Sequence, residues 1–190
     1  MTNIIKRLLL PCVFFMISTS LFAQDFITDT GFVSFFGEKP FDNIRADNHE
    51  VQSTINTKTG KAEFHAKIKS FHFQIESMEK KFNENYMESD LYPDSYFVGK
   101  ILNLADIDFN KPGDYQVMVE GNLTIHNVTR KVLHPGILTV TRDGLRARSQ
   151  FTVKPEDYKI RLPRMFGKKM ATEINVSVDM RYSSRARVTD

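Results

Sequence analysis

Tyr115-Gln116-Val117-Met118-Val119-Glu120-Gly121-Asn122-Leu123-Thr124-Ile125 carries the pattern that decides the fold. Tyr115, Val117, Val119, Gly121, Leu123 and Ile125 alternate with Gln116, Met118, Glu120, Asn122 and Thr124. Successive side chains of an extended chain point to opposite faces, so this stretch reads as a strand that is dry on one side and, Met118 apart, wet on the other. The period of two recurs on both sides of it. Ala62, Phe64, Ala66 and Ile68 alternate with Glu63, His65 and Lys67; Leu145, Ala147, Phe151 and Val153 oppose Arg146, Arg148, Gln150 and Thr152. Ile174, Val176, Val178, Met180 and Tyr182 oppose Glu173, Asn175, Ser177, Asp179 and Arg181, and weaker versions occupy 27–36, 44–56, 96–104 and 132–140.

Turn signals fall between these runs at Thr59-Gly60, Pro112-Gly113-Asp114 and Asp143-Gly144,. About eight strands, each wet on one side only, predict an all-β antiparallel fold whose dry faces converge, as a closed barrel or as a two-sheet sandwich. Small inward residues (Ala62, Ala66, Gly121, Ala147) suit an eight-stranded barrel, whose interior side chains just fill unless enough of them are small to admit one slender ligand,. The one helix expected covers 76–86, with Met78 and Phe82 four apart on one face,. Residues 154–171, with Pro155, Pro163 and Gly167, break the strand rhythm.

The start of the chain has a different character. Met1–Arg7 carries two cations, Leu8–Ile17 is apolar, and Ser18–Ala23 ends in small and apolar residues before Gln24, the three parts of a secretory signal peptide,. Ten apolar residues are half of the roughly 20 that a membrane-spanning helix needs. The expected division is therefore a signal peptide over 1–23, with a cut after Ser20 as the alternative, a β-domain over 24–184 and a disordered tail over 185–190. A periplasmic or secreted location follows, without a transmembrane segment after cleavage.

The chain has 26 basic and 23 acidic residues, and Lys6 and Arg7 fall in the leader, so the mature protein is close to neutral. That argues against a nucleic-acid partner. The single cysteine, Cys12, also lies in the leader, which excludes disulfides, thiolate metal sites and cysteine nucleophiles from the mature chain,. His49, His65, His72, His126 and His134 show no metal-ligand spacing and read as solvated or structural; no nucleophile elbow or phosphate loop occurs,. No metal and no catalytic residue is expected. Glu84, Glu88 and Asp90, interleaved with Asn83, Asn85 and Ser89, read as helix-end and turn residues.

Two longer motifs carry a resemblance. Ile68-Lys69-Ser70-Phe71 leads into Met78-Glu79-Lys80-Lys81-Phe82-Asn83-Glu84-Asn85-Tyr86-Met87-Glu88-Ser89-Asp90-Leu91-Tyr92-Pro93 and then Phe97-Val98-Gly99-Lys100-Ile101; the second motif is Gly121-Asn122-Leu123-Thr124-Ile125-His126-Asn127-Val128-Thr129-Arg130-Lys131-Val132. Over roughly 26–182 the chain resembles the YceI-like family of extracytoplasmic proteins. It departs at Asn127, where the family usually has Gly, and only weakly matches over 155–171.

The resemblance implies a lipocalin-like barrel holding a polyisoprenoid or similar long-chain amphiphile for transport or storage. The partner is then a lipophilic small molecule, and no cofactor is expected beyond a bound polyisoprenoid or quinone-like lipid. Its lining would come from Phe64, Ala66 and Ile68, from Met78 and Phe82 of the helix, from Val117, Val119 and Leu123, and from Ala147, Phe151, Val176 and Val178. Tyr86, Met87, Leu91 and Tyr92 would cover one end, as a lid or as plain packing. Among six cations in 154–169, Arg161, Arg164, Lys168 and Lys169 are candidates to meet an anionic head group at the mouth,. Two rival readings stand beside this one: an interaction or stress-protective module with a filled core, and an enzyme acting on a lipid or quinone head group, which predicts an inward polar cluster near the mouth.

Overall fold

The computed structural model describes residues 25–37, 44–162 and 173–184, with the backbone alone of 164–165 and 168–169. The expected signal peptide and the expected tail 185–190 lie outside the described residues. Eight long strands follow the alternating runs. The first seven are β1 (Asp25–Gly37), β2 (Ile44–Asn56), β3 (Lys61–Lys67), then, after the two-residue β4 (His72–Phe73), β5 (Asp94–Ile101), β6 (Gly113–Ile125), β7 (Val128–Val140) and β8 (Gly144–Val153). A two-residue ribbon, β9 (Arg164–Met165) and β10 (Lys168–Lys169), precedes the eighth, β11 (Ile174–Ser184). Round the sheet the order is β1, β11, β8, β7, β6, β5, β3, β2, and β1 pairs with β2 as well as with β11. All these pairings are antiparallel, and because β1 pairs on both sides the sheet closes into an eight-stranded barrel, which rules out the sandwich,.

Local chemistry explains how the wall is built. Between β6 and β7 the turn residues His126 and Asn127 have φ +50° and +56°. This is the left-handed backbone of a tight hairpin, which Asn tolerates better than any other residue with a side chain, so the turn survives without the family's glycine. Across β3, β5 and β6 the inward positions Ala62, Gly99 and Gly121 lie side by side in register. A Cβ at Gly121 would sit 2.6 Å from both the Gly99 Cα and Phe97 Cζ, so the missing side chains are what let the Phe97 ring lie over the wall. On the outer face Arg146 donates from Nε to Asp179 Oδ1 at 2.8 Å and from Nη2 to Oδ2 at 2.5 Å, joining β8 to β11. That fork holds the Asp179 carboxyl below the usual carboxylate range,.

The antiparallel order gathers strand ends at 25, 56, 61, 101, 113, 140, 144 and 184 at one end of the barrel, and this end is solid. Phe26, Val51, Ile55, Ala62, Ile101, Val117, Leu138, Val140, Leu145, Met180 and Tyr182 form its core, and Ile107, just after a 3-10 turn (Leu104–Asp106), packs beneath them. Ser53 Oγ donates to Glu63 O at 2.9 Å and receives the Tyr182 hydroxyl at 2.7 Å; burial pushes the Tyr182 phenol up, which keeps it a neutral donor,.

At the opposite end β3 runs into a 3-10 turn (Ile68–Ser70), β4 and α1 (Glu76–Lys81), and α1 continues as a π-turn over Phe82–Tyr86. The expected helix over 76–86 is thus one helical run in two geometries. Glu79 fixes it to the sheet by accepting from the Phe73 backbone N–H at 3.0 Å. A smaller core of Ile68, Met87, Tyr158 and Ile160 fills one side of this end.

Candidate functional site

Inward residues near the solid end are fully enclosed: Met180 is 0% exposed, Leu138 1% and Val117 6%. Two residues further along the same strands, Val119 and Val178 are only half-buried, although they too face the barrel axis. An inward apolar side chain stays half-buried only where nothing packs against it. The barrel is accordingly filled at one end and hollow at the other, around a chamber of about 680 Å³, within the roughly 300–1,000 Å³ range of small-molecule sites. The filled-core reading therefore fails on the structure.

All twelve residues expected to line a ligand border this chamber. Phe64, Ala66 and Ile68 come from β3 and its end, Met78 and Phe82 from the helical run, Val117, Val119 and Leu123 from β6, Ala147 and Phe151 from β8, and Val176 and Val178 from β11. Ile68, at 2% exposed, and Val117 belong to the packed ends, whereas the others form the open wall. The mouth is aromatic. Phe35 stands with ring centroids 5.5 Å from Phe71, 5.7 Å from Phe73 and 5.4 Å from Phe82, a tilted and edge-on cluster at the base of the helix,. Val33, Phe35, Phe71 and Phe73 went unassigned in the sequence; the alternation in β1 is weak, and β4 is too short for periodicity to register.

The candidate lid divides. Met87 is buried and Tyr86 borders the chamber, while Tyr92 sits edge-on to His126 with centroids 4.4 Å apart. Leu91 is 70% exposed and covers nothing: Leu91 and Tyr92 donate their backbone N–H groups to Glu88 O, a tight turn that carries the Leu91 side chain outward. Glu88 itself accepts from or pairs with His126 Nε2 at 3.0 Å, in keeping with its reading as a structural carboxylate. Arg161 is exposed and does not border the chamber. The Arg164, Lys168 and Lys169 backbones form the β9–β10 ribbon, and their side chains lie outside the described residues. Among the described residues two cations border the chamber, Lys81 on the exposed side of α1 at the mouth and Arg148 on β8. Ser77, Lys81, Tyr86, Ser95 and Tyr96 are the polar residues that border this end of the chamber among the described residues.

One polar group stands deeper, on β7. His134 pairs with Val119 and shares its inward row, and its ring stacks on Phe151 with centroids 4.2 Å apart and planes 16° from parallel. Burial holds its imidazole below the ordinary histidine value, so it is neutral at neutral pH,. The sequence did contain a signal for it: Val132, Gly136, Leu138 and Val140 alternate with Leu133, Pro135, Ile137 and Thr139, and His134 falls in the inward set. Near it the wall changes construction. β7 and β8 are paired only from Ile137↔Arg148 to Val140↔Leu145. Beyond Gly136 the two strands share no ladder; Pro135 has no N–H to offer, and its carbonyl accepts from Ser149 Oγ at 2.7 Å instead,.

The family model described as the YceI-like domain matches residues 28–182. Among solved structures, the chain is similar to a polyisoprenoid binding domain from Saccharophagus degradans implicated in plant cell wall breakdown, at 15% identity and a TM-score of 0.72 over 86% of this chain and 99% of that one. It is similar to Burkholderia cenocepacia BcnA at 15% identity and a TM-score of 0.65, covering 78% of this chain and 94% of that one. Campylobacter jejuni YceI protein follows at 15% identity and 0.59, covering 77% and 87%. At this identity the three likenesses establish the fold. No curated protein matches the chain.

Proposed function

The chain belongs to the YceI-like family, and on that premise we propose that it holds a long-chain, weakly polar lipid of the polyisoprenoid type inside its barrel, outside the cytoplasm, as a carrier or store and not as a catalyst. The observation that carries this reading is the chamber: about 680 Å³ walled by half-buried apolar side chains above a packed floor. Such a wall is left short of contacts until an apolar chain enters it. Each methylene buried there contributes about 0.8 kcal/mol, or roughly fourfold in affinity, so binding depends steeply on chain length and weakly on chain chemistry.

The Saccharophagus degradans neighbour is a polyisoprenoid binding domain, which agrees in ligand class. The leader-like Met1–Ala23 supports export,, and among the described residues no helix is long and apolar enough to cross a membrane. The reading is tested by incubating delipidated protein with phosphatidylcholine vesicles doped with a polyprenol and then removing the vesicles. About one polyprenol per chain is expected to remain with the protein; protein that leaves the vesicles with none contradicts the reading.

A further inference from the structure

A chamber built only to hold a hydrocarbon has no use for an imidazole in its wall. His134 lies one inward position from Gly136 and two from the fully buried Leu138, which places it at the inner end of the chamber just above the floor. Its neighbours on the inward faces are apolar, Val119 beside it on β6 and Phe151 stacked on it from β8. Neither ring nitrogen makes a hydrogen bond with a described residue. Ser149, the nearby hydroxyl of the wall, is committed to the Pro135 carbonyl. A neutral imidazole offers one N–H donor and one lone-pair acceptor, and in an apolar chamber it gains a partner when a ligand brings a matching oxygen.

Arg148 also borders the chamber, and its Nε is buried with no hydrogen-bond partner among the described residues. The Arg148 guanidinium reaches outward to Thr139 Oγ1 at 3.5 Å and Asp114 Oδ2 at 3.7 Å, in the outer row that also holds Arg146 and Asp179. Lys81 is at the mouth, beside α1. A diphosphate or carboxylate carried down to His134 would lose its hydration while the nearby guanidinium, Arg148, is already turned to Asp114 and Thr139, whereas a hydroxyl or carbonyl oxygen would exchange one hydrogen bond for another.

We propose that His134 is the hydrogen-bonding anchor of the chamber, and that the lipid it selects carries an uncharged oxygen function, a hydroxyl or a carbonyl, seated at the inner end with the apolar chain running toward the aromatic mouth. This rests on the lipid-holding function proposed above and deepens it, by naming the chemistry of the ligand's polar end and the direction in which it lies. It also separates two tasks: Phe35, Phe71, Phe73 and Phe82 grip chain without regard to its head, and His134 reads the head.

Four probes sharing one prenyl chain test it on delipidated protein: farnesene with no oxygen, farnesol with a hydroxyl, farnesal with a carbonyl, and farnesyl diphosphate with an anionic head. Wild-type protein is expected to bind farnesol or farnesal about five- to tenfold more tightly than farnesene, the worth of one hydrogen bond. Whichever of the two is favoured identifies the oxygen function. His134→Phe, which keeps a ring against Phe151, is expected to remove that preference, so that farnesol, farnesal and farnesene bind alike, and His134→Gln, which keeps a donor and an acceptor, to retain part of it. Circular dichroism checks both variants for folding, and the Gln variant keeps the comparison available if the Phe variant misfolds. Equal affinity of wild type for farnesene, farnesol and farnesal overturns the anchor and leaves the lipid-holding function intact. Tightest binding of farnesyl diphosphate, unaffected at His134, puts the head group at the Lys81 mouth and also overturns it. Uptake of none of the four contradicts the lipid-holding function itself, and the anchor with it.

Discussion

Ala66→Phe combined with Val178→Phe is expected to cut polyprenol uptake from vesicles at least tenfold while the protein stays folded, with a Tm within a few degrees of wild type. Both positions border the chamber and both are half-buried, on strands β3 and β11 that lie three apart round the barrel. Enlarging a side chain in a close-packed core forces neighbours off their rotamers and costs about 1–3 kcal/mol. Here the added rings enter open space and gain contacts they lacked. Each ring occupies volume that a bound chain needs, and two or more methylenes displaced at about 0.8 kcal/mol apiece already exceed a tenfold loss. The check is vesicle extraction and thermal melting on the same preparation. Loss of folding would mean that the space is not there, and undiminished uptake would mean that the lipid sits elsewhere.

The floor should respond in the opposite sense. Leu138→Ala is expected to destabilise the protein by about 3 kcal/mol, a fall in Tm on the order of 6–12 °C for a domain of this size. Leu138 is 1% exposed and packs within the core that includes Val117, Val140, Leu145 and Met180, where the lost contacts are not recovered by collapse. Val119→Ala, next to the chamber, should cost under about 1 kcal/mol, because its side chain has open space on one side,. Thermal or urea melting of the two variants separates a barrel with a solid half and a hollow half from one uniformly filled. Equal losses at both positions would contradict the division.

How much of this was legible in the sequence depends on what alternation encodes. Period two says which face a side chain takes, and in β3, β6, β8 and β11 it placed Phe64, Val119, Phe151 and Val176 correctly on the inner face. It does not say whether inward residues meet each other, so the boundary between the packed Val117 and the open Val119, two residues apart, could not be read. That boundary depends on which rows face which across the barrel, and those contacts are long-range. The helix over 76–86 was legible from Met78 and Phe82, but its π-turn was not, because the i→i+5 bond from Met87 N–H to Phe82 O arises from how the helix end meets the barrel.

The inward placement of His134 was harder to read. Histidines are usually solvated or structural, and Pro135 beside it weakens the strand signal, yet the row Val132, His134, Gly136, Leu138, Val140 points it inward. Arg161 drew attention because cations cluster near it, but charge density on a loop carries no information about direction, and its side chain is exposed away from the chamber.

The central claim is that the hollow half of the barrel is occupied by one long-chain lipid. Native mass spectrometry of the mature protein, purified from the compartment to which its host delivers it and followed by organic extraction of whatever it releases, tests that claim most directly. The account predicts a mass above that of the bare chain by one long-chain lipid carrying an uncharged oxygen function. A bare mass that stays bare after incubation with polyprenyl lipids would contradict it.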